Sequence, residues 1–210
     1  MGLLIAFEGC EGCGKSTQVK RLWSHLRRLG VPVTITREPG GTQLGNRIRT
    51  LLKRRGDLEI SPLAELFLFL SARQQLCTKV LRDGKEQGLV VCDRYAHSSV
   101  AYQGYGRGLA PAMIERLNAI ATEGHLPDLV VLLDIPPEVG LIRKGGPNGD
   151  HFEGESLAFH ERVRGGYLKM AQDDPDRWLV VDAELPPKEV ERIIWEKVSP
   201  LIEGISGAAP

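Results

Sequence analysis

The feature that most constrains this chain is a glycine-rich loop near its start, placed between an apolar run and a helical pattern. The loop reads Gly-Cys-Glu-Gly-Cys-Gly-Lys-Ser-Thr at residues 9–17, which matches the P-loop pattern. Residues 3–7 before it are apolar, and Val19, Leu22 and Leu26 after it recur at helical spacing. A strand that enters a glycine turn and a helix directs backbone N–H groups and the positive helix end at one point, where a phosphate chain would bind.

Every residue of this loop is therefore a candidate phosphate contact: Gly9, Cys10, Glu11, Gly12, Cys13, Gly14, Lys15, Ser16 and Thr17. Lys15 would reach the β and γ phosphates, and Ser16 would hold a magnesium ion. A glycine loop without a ligand is the structural alternative, but the flanking strand and helix favour the phosphate site.

Apolar runs recur along the chain with helix-length segments between them. They lie at residues 3–7, 31–35, 89–92, 129–133 and 178–181. This alternation predicts an α/β fold of the three-layer P-loop NTPase type, with a five-stranded parallel sheet and helices on both faces. The length of 210 residues fits a single domain spanning 1–210, whose ligands belong at the carboxyl ends of the strands.

Two segments depart from this alternation. Residues 144–154 form a glycine-rich polar interruption between two helical stretches, which is either a plain surface loop or a mobile lid. The nearby P-loop favours the short lid. Residues 204–210 are predicted to form a frayed tail.

The charge balance limits the kinds of partner. Lys and Arg number 27, as do Asp and Glu, so no net field attracts nucleic acid or an anionic membrane. No stretch approaches 18 apolar residues, and the first residues lack the pattern of a signal peptide. We therefore expect a cytoplasmic protein without a nucleic-acid or membrane partner.

Four cysteines occur, and two of them form a Cys-x-x-Cys pattern at Cys10 and Cys13. Such a pattern can indicate zinc or redox chemistry, but no second pair of ligands follows at zinc-site spacing. We interpret these cysteines as small P-loop residues, and Cys92 as a packing residue that ends an apolar run.

Charged residues follow the second and third predicted strands. The second strand runs into Thr-Arg-Glu-Pro-Gly-Gly-Thr at 36–42, and the third ends in Asp93, Arg94 and Tyr95. Asp93 would bind the P-loop magnesium directly or through water, while the guanidinium of Arg94 would bind a phosphate. A surface ion pair is the alternative, and the preceding P-loop favours the site.

A helical stretch at 63–76 carries Phe69 and Arg73 four residues apart, hence on one face. Phe69 would stack on a base and Arg73 would bond its edge, although spacing alone favours a core phenylalanine and a solvated arginine. Further along, hydroxyl and amide groups one turn apart are candidate readers of a polar ligand: Ser98, Ser99, Tyr102 and Gln103.

Together these motifs resemble the bacterial thymidylate kinases, from about residue 5 to residue 190. The resemblance rests on five segments: Phe-Glu-Gly-x-Glu-Gly-x-Gly-Lys-Ser-Thr at 7–17, Thr-Arg-Glu-Pro-Gly-Gly-Thr at 36–42, Asp-Arg-Tyr at 93–95, Ser-Ser-x-Ala-Tyr-Gln-Gly at 98–104 and Pro-Asp-Leu at 127–129. It implies that the γ-phosphoryl group of MgATP passes to the 5′-phosphate of dTMP, giving dTDP and ADP. A phosphate acceptor is largely dianionic at neutral pH, with a second pKa of about 6, so the protein's tasks are alignment and charge neutralisation.

The resemblance also implies contacts with the acceptor phosphate and sugar. Arg94 and Arg49 would hold the phosphate, and Glu11 would meet the 3′-hydroxyl. Tyr102 would crowd the 2′ position and disfavour a ribonucleotide. Glu38 would support this pocket from the second strand.

On the base side, the resemblance favours contact over simple packing. Phe69 would stack on thymine. Arg73, Ser99 and Gln103 would read the polar edge of the base.

The sequence offers several residues that could supply a catalytic positive charge. Relatives with an acidic residue in the P-loop usually supply a basic residue from the lid, whose common sequence is Asp-Arg-Phe-Glu. This chain reads Asp-His-Phe-Glu at 150–153, and a histidine with an ordinary pKa near 6.5 is mostly neutral at pH 7. Besides His151, four basic residues are candidates: Arg143, Lys144, Arg162 and Arg164. The predicted catalytic set is Lys15, Arg94, Glu11 and Arg143.

The resemblance further implies a homodimer and an adenine contact. The apolar segment 63–70 is either a dimer face or core, and both produce the same pattern. Residues 181–187 resemble the family's adenine-side loop, and an ordinary strand-to-helix turn would read almost the same.

Three other functions share the P-loop. A nucleoside kinase would need a carboxylate base near the acceptor hydroxyl. A different monophosphate kinase would share the P-loop but not the set of predicted base contacts from Phe69 to Gln103. A GTPase-type switch would carry an Asn-Lys-x-Asp signature, which does not occur in this sequence.

Overall fold

The computed structural model describes residues 2–54, 56–145 and 151–206. Its five strands form one sheet in the order β2-β3-β1-β4-β5, and every pair is parallel. The strands are β1 (Leu3–Glu8), β2 (Val33–Arg37), β3 (Leu89–Asp93), β4 (Leu129–Asp134) and β5 (Trp178–Asp182). The predicted five-stranded parallel sheet is confirmed. The second strand begins two residues later than its apolar run, because Val31 packs into the core before Pro32.

Helices occupy most of the chain between the strands. They are α1 (Lys15–Arg28), α2 (Gln43–Lys53), α3 (Pro62–Leu76), α4 (Arg82–Gln87), α5 (Ala96–Ser99), α6 (Pro111–Thr122), α7 (Pro137–Arg143), α8 (Leu157–Asp173) and α9 (Pro187–Ser206). Two π-helical segments interrupt this pattern: Cys77–Leu81 joins α3 to α4, and Val100–Gly106 continues α5.

Alternate residues of β1 face opposite layers, as the two-residue repeat of a strand requires. Ile5 and Phe7 are buried among residues of α1 and α9. Leu4 and Ala6 are buried on the other face with residues at the end of α3. Burying a leucine, isoleucine or phenylalanine side chain contributes about 1.5–3 kcal/mol. Helices therefore cover both faces, and the predicted three-layer arrangement is confirmed.

The strand order brings three loops to one edge of the sheet. Because β1 lies beside β3, and β3 beside β2, the segments that follow these strands are neighbours. The backbone N–H of Arg94 donates to the carbonyl of Phe7 at 2.9 Å, and that of Glu38 donates to the carbonyl of Asp93 at 3.0 Å. Ligand sites of parallel sheets lie at this carboxyl edge.

The predicted lid is described only in part. Residues 144 and 145 follow α7, residues 151–155 form turns before α8, and residues 146–150 lie outside the described part of the chain. Helix α9 includes the first three residues of the predicted tail. Residues 207–210 lie outside the described part of the chain. None of the helices in the described ranges combines the length and apolar composition of a bilayer-spanning helix.

Candidate active site

A cleft of about 390 Å³ lies at the carboxyl edge of the sheet, against the P-loop. Most of the residues predicted to bind the acceptor line it: Glu11, Glu38, Arg49, Phe69, Arg94, Ser99, Tyr102 and Gln103. Residues predicted for phosphate, metal and catalysis line it too: Gly12, Gly14, Lys15, Ser16, Thr17, Asp93 and Arg143. The fold thus brings donor and acceptor candidates to one cavity.

The P-loop has a backbone that only glycine accommodates at two positions. Gly9 and Gly12 have φ angles of 138° and 70°. A Cβ at Gly9 would overlap the carbonyl of Leu133, and one at Gly12 would overlap the backbone of Gly140. Gly14, also at positive φ, then caps α1. The loop backbone is held close to its neighbours, with the N-terminus of α1 at the cleft.

The Lys15 side chain is buried against the residues of the P-loop that precede it. Its Nζ donates to the carbonyl oxygens of Gly9 at 3.0 Å and Cys10 at 2.8 Å, and lies 3.2 Å from Sγ of Cys13. All four cysteines are free and buried. Burial raises the pKa of the Cys10 thiol to about 12, which keeps it protonated and unreactive at neutral pH.

Ser16 and Asp93, the predicted metal ligands, are in contact. The Ser16 hydroxyl donates to Oδ2 of Asp93 at 2.6 Å. Magnesium prefers such oxygen ligands and takes its remaining ligands from substrate phosphates and water. Among the residues that the structure describes, no three His, Cys, Asp or Glu side chains form a metal-binding group. The donor set therefore fits a magnesium ion that depends on a nucleotide for most of its ligands.

Arg94 occupies the centre of the acceptor side, with a left-handed backbone at φ 69°. Its guanidinium donates to the Glu11 carboxylate at 2.5 Å and to the Tyr102 hydroxyl at 3.0 Å, and it lies over the Tyr102 ring. Burial is the largest single effect and lowers the pKa of Arg94, but Glu11, Tyr102, Tyr167 and Glu8 together outweigh burial and raise it well above its ordinary value. Burial raises the pKa of Glu11, but Arg94 and Lys15, with smaller contributions from Tyr102 and His160, outweigh burial and lower it. Both groups are charged at neutral pH.

A buried hydrogen-bond network supports the Arg94 guanidinium. Two of its members, Glu8 and Tyr167, were not predicted from the sequence. The Tyr167 hydroxyl donates to Glu8 at 2.8 Å and accepts from Arg94 at 3.2 Å. Glu8 also accepts from the Ser98 hydroxyl at 2.6 Å. Burial raises the pKa of Glu8, although Arg94 and these hydrogen bonds oppose the rise. No local pattern links two residues 159 positions apart.

Aromatic side chains form one wall of the cleft. Phe69 of α3 contacts Phe152, which follows the undescribed part of the lid, with ring centroids 5.9 Å apart. Tyr102 meets the same Phe152 ring at 6.0 Å. The wall offers flat apolar surface on which a base can stack.

Arg73 lies behind this wall. It is 1% exposed and is not among the described residues that line the cleft. Its Nε donates to Glu38 at 2.8 Å and its Nη1 donates to Asn118 at 2.6 Å. Burial raises the pKa of Glu38 to about 7, against the lowering effect of Arg73. Glu38 lines the cleft and Arg73 does not, so direct contact between Arg73 and a base stays a prediction. The contact between Arg73 and Asn118 was not predicted from the sequence.

The π-helical segment Val100–Gly106 presents Tyr102 and Gln103 to the cleft. Such segments occur often at functional sites. The buried Ser99 hydroxyl, just before it, has no hydrogen-bond partner among the described residues, which leaves it available to a ligand. Arg49 of α2 also lines the cleft, and it donates to the carbonyl of Pro39 at 3.1 Å.

The candidate lid cations occupy different places. Arg143 and Lys144 line the cleft: Arg143 donates to the carbonyl of Ala183 at 2.8 Å, and Lys144 pairs with Glu153 at 2.9 Å. Three others lie outside the lining, among the described residues. Arg162 donates to the Gly106 carbonyl, Arg164 forms a two-point ion pair with Asp134, and His151 lies between Arg107 and Glu155.

Comparisons with known proteins point to one family. The family model described as thymidylate kinase matches residues 7–194. A thymidylate kinase of Dehalococcoides mccartyi is 45% identical over 204 residues, covering 97% of this chain and 99% of the relative. A thymidylate kinase of Deinococcus radiodurans is 48% identical over 202 residues, covering 94% and 97%.

A solved structure gives the same result. The crystal structure of thymidylate kinase from Ehrlichia chaffeensis superposes with a TM-score of 0.77 at 30% identity. The match covers 94% of this chain and 98% of that one.

Proposed function

Because the chain belongs to the thymidylate kinase family, we propose that it transfers the γ-phosphoryl group of ATP to dTMP, forming dTDP and ADP. The observation that carries this proposal is one cleft that holds a P-loop, an arginine bonded to that loop and an aromatic wall. The three elements suit a triphosphate, an acceptor phosphate and a base, respectively.

The donor side comprises the P-loop, Lys15, Ser16 and Asp93. Backbone N–H groups of the loop and the N-terminus of α1 would bind the phosphate chain of ATP, and Lys15 would leave the loop carbonyls for the β and γ phosphates. Ser16 and Asp93 would hold a magnesium ion, which when bound neutralises charge on those phosphates. The close packing of Gly9 and Gly12 against neighbouring backbone supports a rigid phosphate-binding loop.

The acceptor side needs cations rather than a general base, since the acceptor is already an anion. Arg94 and Arg49 would hold the 5′-phosphate of dTMP. Glu11, which keeps Arg94 in place, would accept a hydrogen bond from the 3′-hydroxyl. Tyr102 lies against Arg94 and would limit space at the 2′ position. Holding the two substrates in line accounts for much of the rate in such reactions.

The base would lie against Phe69. Ser99 and Gln103 would contact its polar edge directly, while Glu38 supports the pocket. Arg73 would act on the base through Glu38 or after a change in its own contacts. The full burial of these polar groups supports specificity, because a ligand that leaves them unpaired binds poorly.

Arg143 would supply the cation that compensates charge transferred between the substrates. It is the last residue of α7, directly before the predicted lid, and it lines the cleft. Segment 144–154 would close over the nucleotide and exclude water. The contact of Phe152 with Phe69 and Tyr102 supports a lid that docks on the acceptor wall.

We also propose a homodimer in the cytoplasm. Leu63 and Phe67 of α3 are 41% and 50% exposed, and the neighbouring α2 exposes Leu44 and Leu51. Adjacent exposed apolar side chains are typical of a contact surface. Both substrates are phosphorylated, so neither crosses a membrane unaided, and a cytoplasmic enzyme meets both.

The test is ADP formation from ATP with an acceptor panel of dTMP, dUMP, UMP, dCMP, AMP, GMP and thymidine, with magnesium and with a chelator. We expect the highest kcat/KM with dTMP, and no turnover when the chelator is present. A preference for thymidine would favour a nucleoside kinase, and a preference for AMP or GMP would favour another monophosphate kinase. Either result would contradict the proposal.

A further inference from the structure

A buried carboxylate lies directly behind the base side of the cleft. Glu65 belongs to the first turn of α3, and its side chain is fully buried. Its Oε1 accepts a hydrogen bond from Nε2 of Gln103 at 2.8 Å. Gln103 lines the cleft, whereas Glu65 is not among the described lining residues. Glu65 thus contacts a predicted base reader from behind.

An arginine contacts both oxygens of this carboxylate. Nε and Nη2 of Arg107 contact Oε1 and Oε2 of Glu65, each at 3.3 Å. Glu155, next to the lid, contacts the same guanidinium at 2.6 Å. Burial lowers the pKa of Arg107, but Glu65 and Glu155 outweigh burial and raise it. A charged arginine over both oxygens of Glu65 favours the ionised carboxylate.

An ionised carboxylate accepts hydrogen bonds and donates none. The group of Gln103 that faces it must therefore be the NH2, since a carbonyl there would be repelled. The other branch of the amide, the carbonyl Oε1, is what Gln103 offers to a ligand in the cleft. Without Glu65, the amide could turn by 180° with almost no change in shape.

We infer that Glu65 is a positioning residue that fixes the Gln103 amide with its carbonyl oxygen toward the nucleotide base. This inference rests on the proposed function. A carbonyl accepts a hydrogen bond from the imide N3–H of thymine or uracil, and it opposes the N3 lone pair of cytosine. Glu65 then selects against cytosine without contacting the base.

The test is substrate preference in Glu65→Gln, which preserves the shape of the side chain but can both donate and accept. We expect the ratio of kcat/KM for dTMP to that for dCMP to fall about tenfold or more. The ratio for dTMP to dUMP should stay within about twofold, because both bases carry the imide. Glu155→Gln, which removes the other carboxylate on Arg107, is the matched control and should keep both ratios.

An unchanged dTMP to dCMP ratio in folded Glu65→Gln would overturn the inference. If the unmodified protein phosphorylates no pyrimidine monophosphate, the proposed function fails first, so the two failures are distinguishable. If Glu65→Gln does not fold, nuclear magnetic resonance of the unmodified protein decides. The side-chain NH2 signal of Gln103, assigned by its absence in Gln103→Leu, should be shifted downfield by the carboxylate and keep that shift when dTMP is added. Loss of the shift on dTMP binding would contradict a fixed amide.

Discussion

The side chain of Arg94 illustrates how much of the site rests on single residues. It contacts Glu11 of the P-loop, Tyr102 of the π-helical segment and Tyr167 of α8. Three separate parts of the chain therefore fix one guanidinium before a substrate arrives. This preorganisation reduces the reorganisation needed when an acceptor phosphate binds.

Arg143 is the residue whose role is tested most easily. Arg143→Ala removes the charge at the cleft and its hydrogen bond to the Ala183 carbonyl. If the guanidinium neutralises charge mainly in the transition state, kcat should fall at least about tenfold while KM for ATP and dTMP changes less than about threefold. Steady-state kinetics with each substrate varied in turn measures both quantities.

Arg192→Ala is the matched control for that substitution, because Arg192 is an exposed arginine of α9 that pairs with Glu196. It should leave both constants unchanged. An unchanged kcat in Arg143→Ala would remove Arg143 from the mechanism. Lys144, the first residue of the predicted lid, would then be the candidate cation, because it also lines the cleft.

At the residue scale, short motifs predicted phosphate contacts for the P-loop and a shared magnesium ion for Ser16 and Asp93, two side chains that the structure brings into contact. The same reasoning missed Glu8, Glu65 and Tyr167. These residues matter through contacts with distant parts of the chain, and neither composition nor spacing records such contacts. Arg73 shows the converse: its helical spacing placed it correctly on the face with Phe69, but could not reveal that Glu38 and Asn118 hold it.

Among the secondary-structure elements, α3 serves two surfaces at once. Leu66 and Leu70 are buried toward the core, while Leu63 and Phe67 are exposed. The apolar run predicted a helix but could not separate a dimer face from core, because the run is apolar around most of the helix. The exposed fractions separate the core residues of α3 from the exposed ones.

Phe67→Glu tests the proposed dimer face on α3. A carboxylate placed in an apolar contact would lose its hydration, so we expect the dimer dissociation constant to rise at least about tenfold. Sedimentation over a range of protein concentrations measures it. Leu29→Glu, at another exposed leucine after α1, is the control and should behave like the unmodified protein.

Two results would contradict that assignment. An unmodified protein that sediments as a monomer at micromolar concentration would remove the dimer. A Phe67→Glu protein that remains as dimeric as the control would place the contact elsewhere.

The π-helical segment Val100–Gly106 could not be predicted from periodicity. A helix with one additional residue in its turn leaves the apolar pattern almost unchanged, yet it alters which side chains face the cleft. The three central strands, β1, β3 and β4, were predictable because their apolar runs are continuous, as expected of strands buried on both faces.

For the whole molecule, the strand order explains why residues 77 and 83 positions apart contact each other in one site. Placing β1 between β3 and β4 brings the P-loop next to Asp93 and Arg94, and β2 then adds Glu38. Sequence alternation predicted parallel strands but not their order, which depends on long-range packing.

We propose that the two halves of the cleft hold a donor and an acceptor in line for direct transfer. The most direct measurement follows a label on the γ-phosphoryl group of ATP in the presence of dTMP and magnesium. We predict that the label appears in dTDP, and that Lys15→Met abolishes its appearance. Label recovered only as inorganic phosphate, from folded protein that binds both nucleotides, would contradict the account.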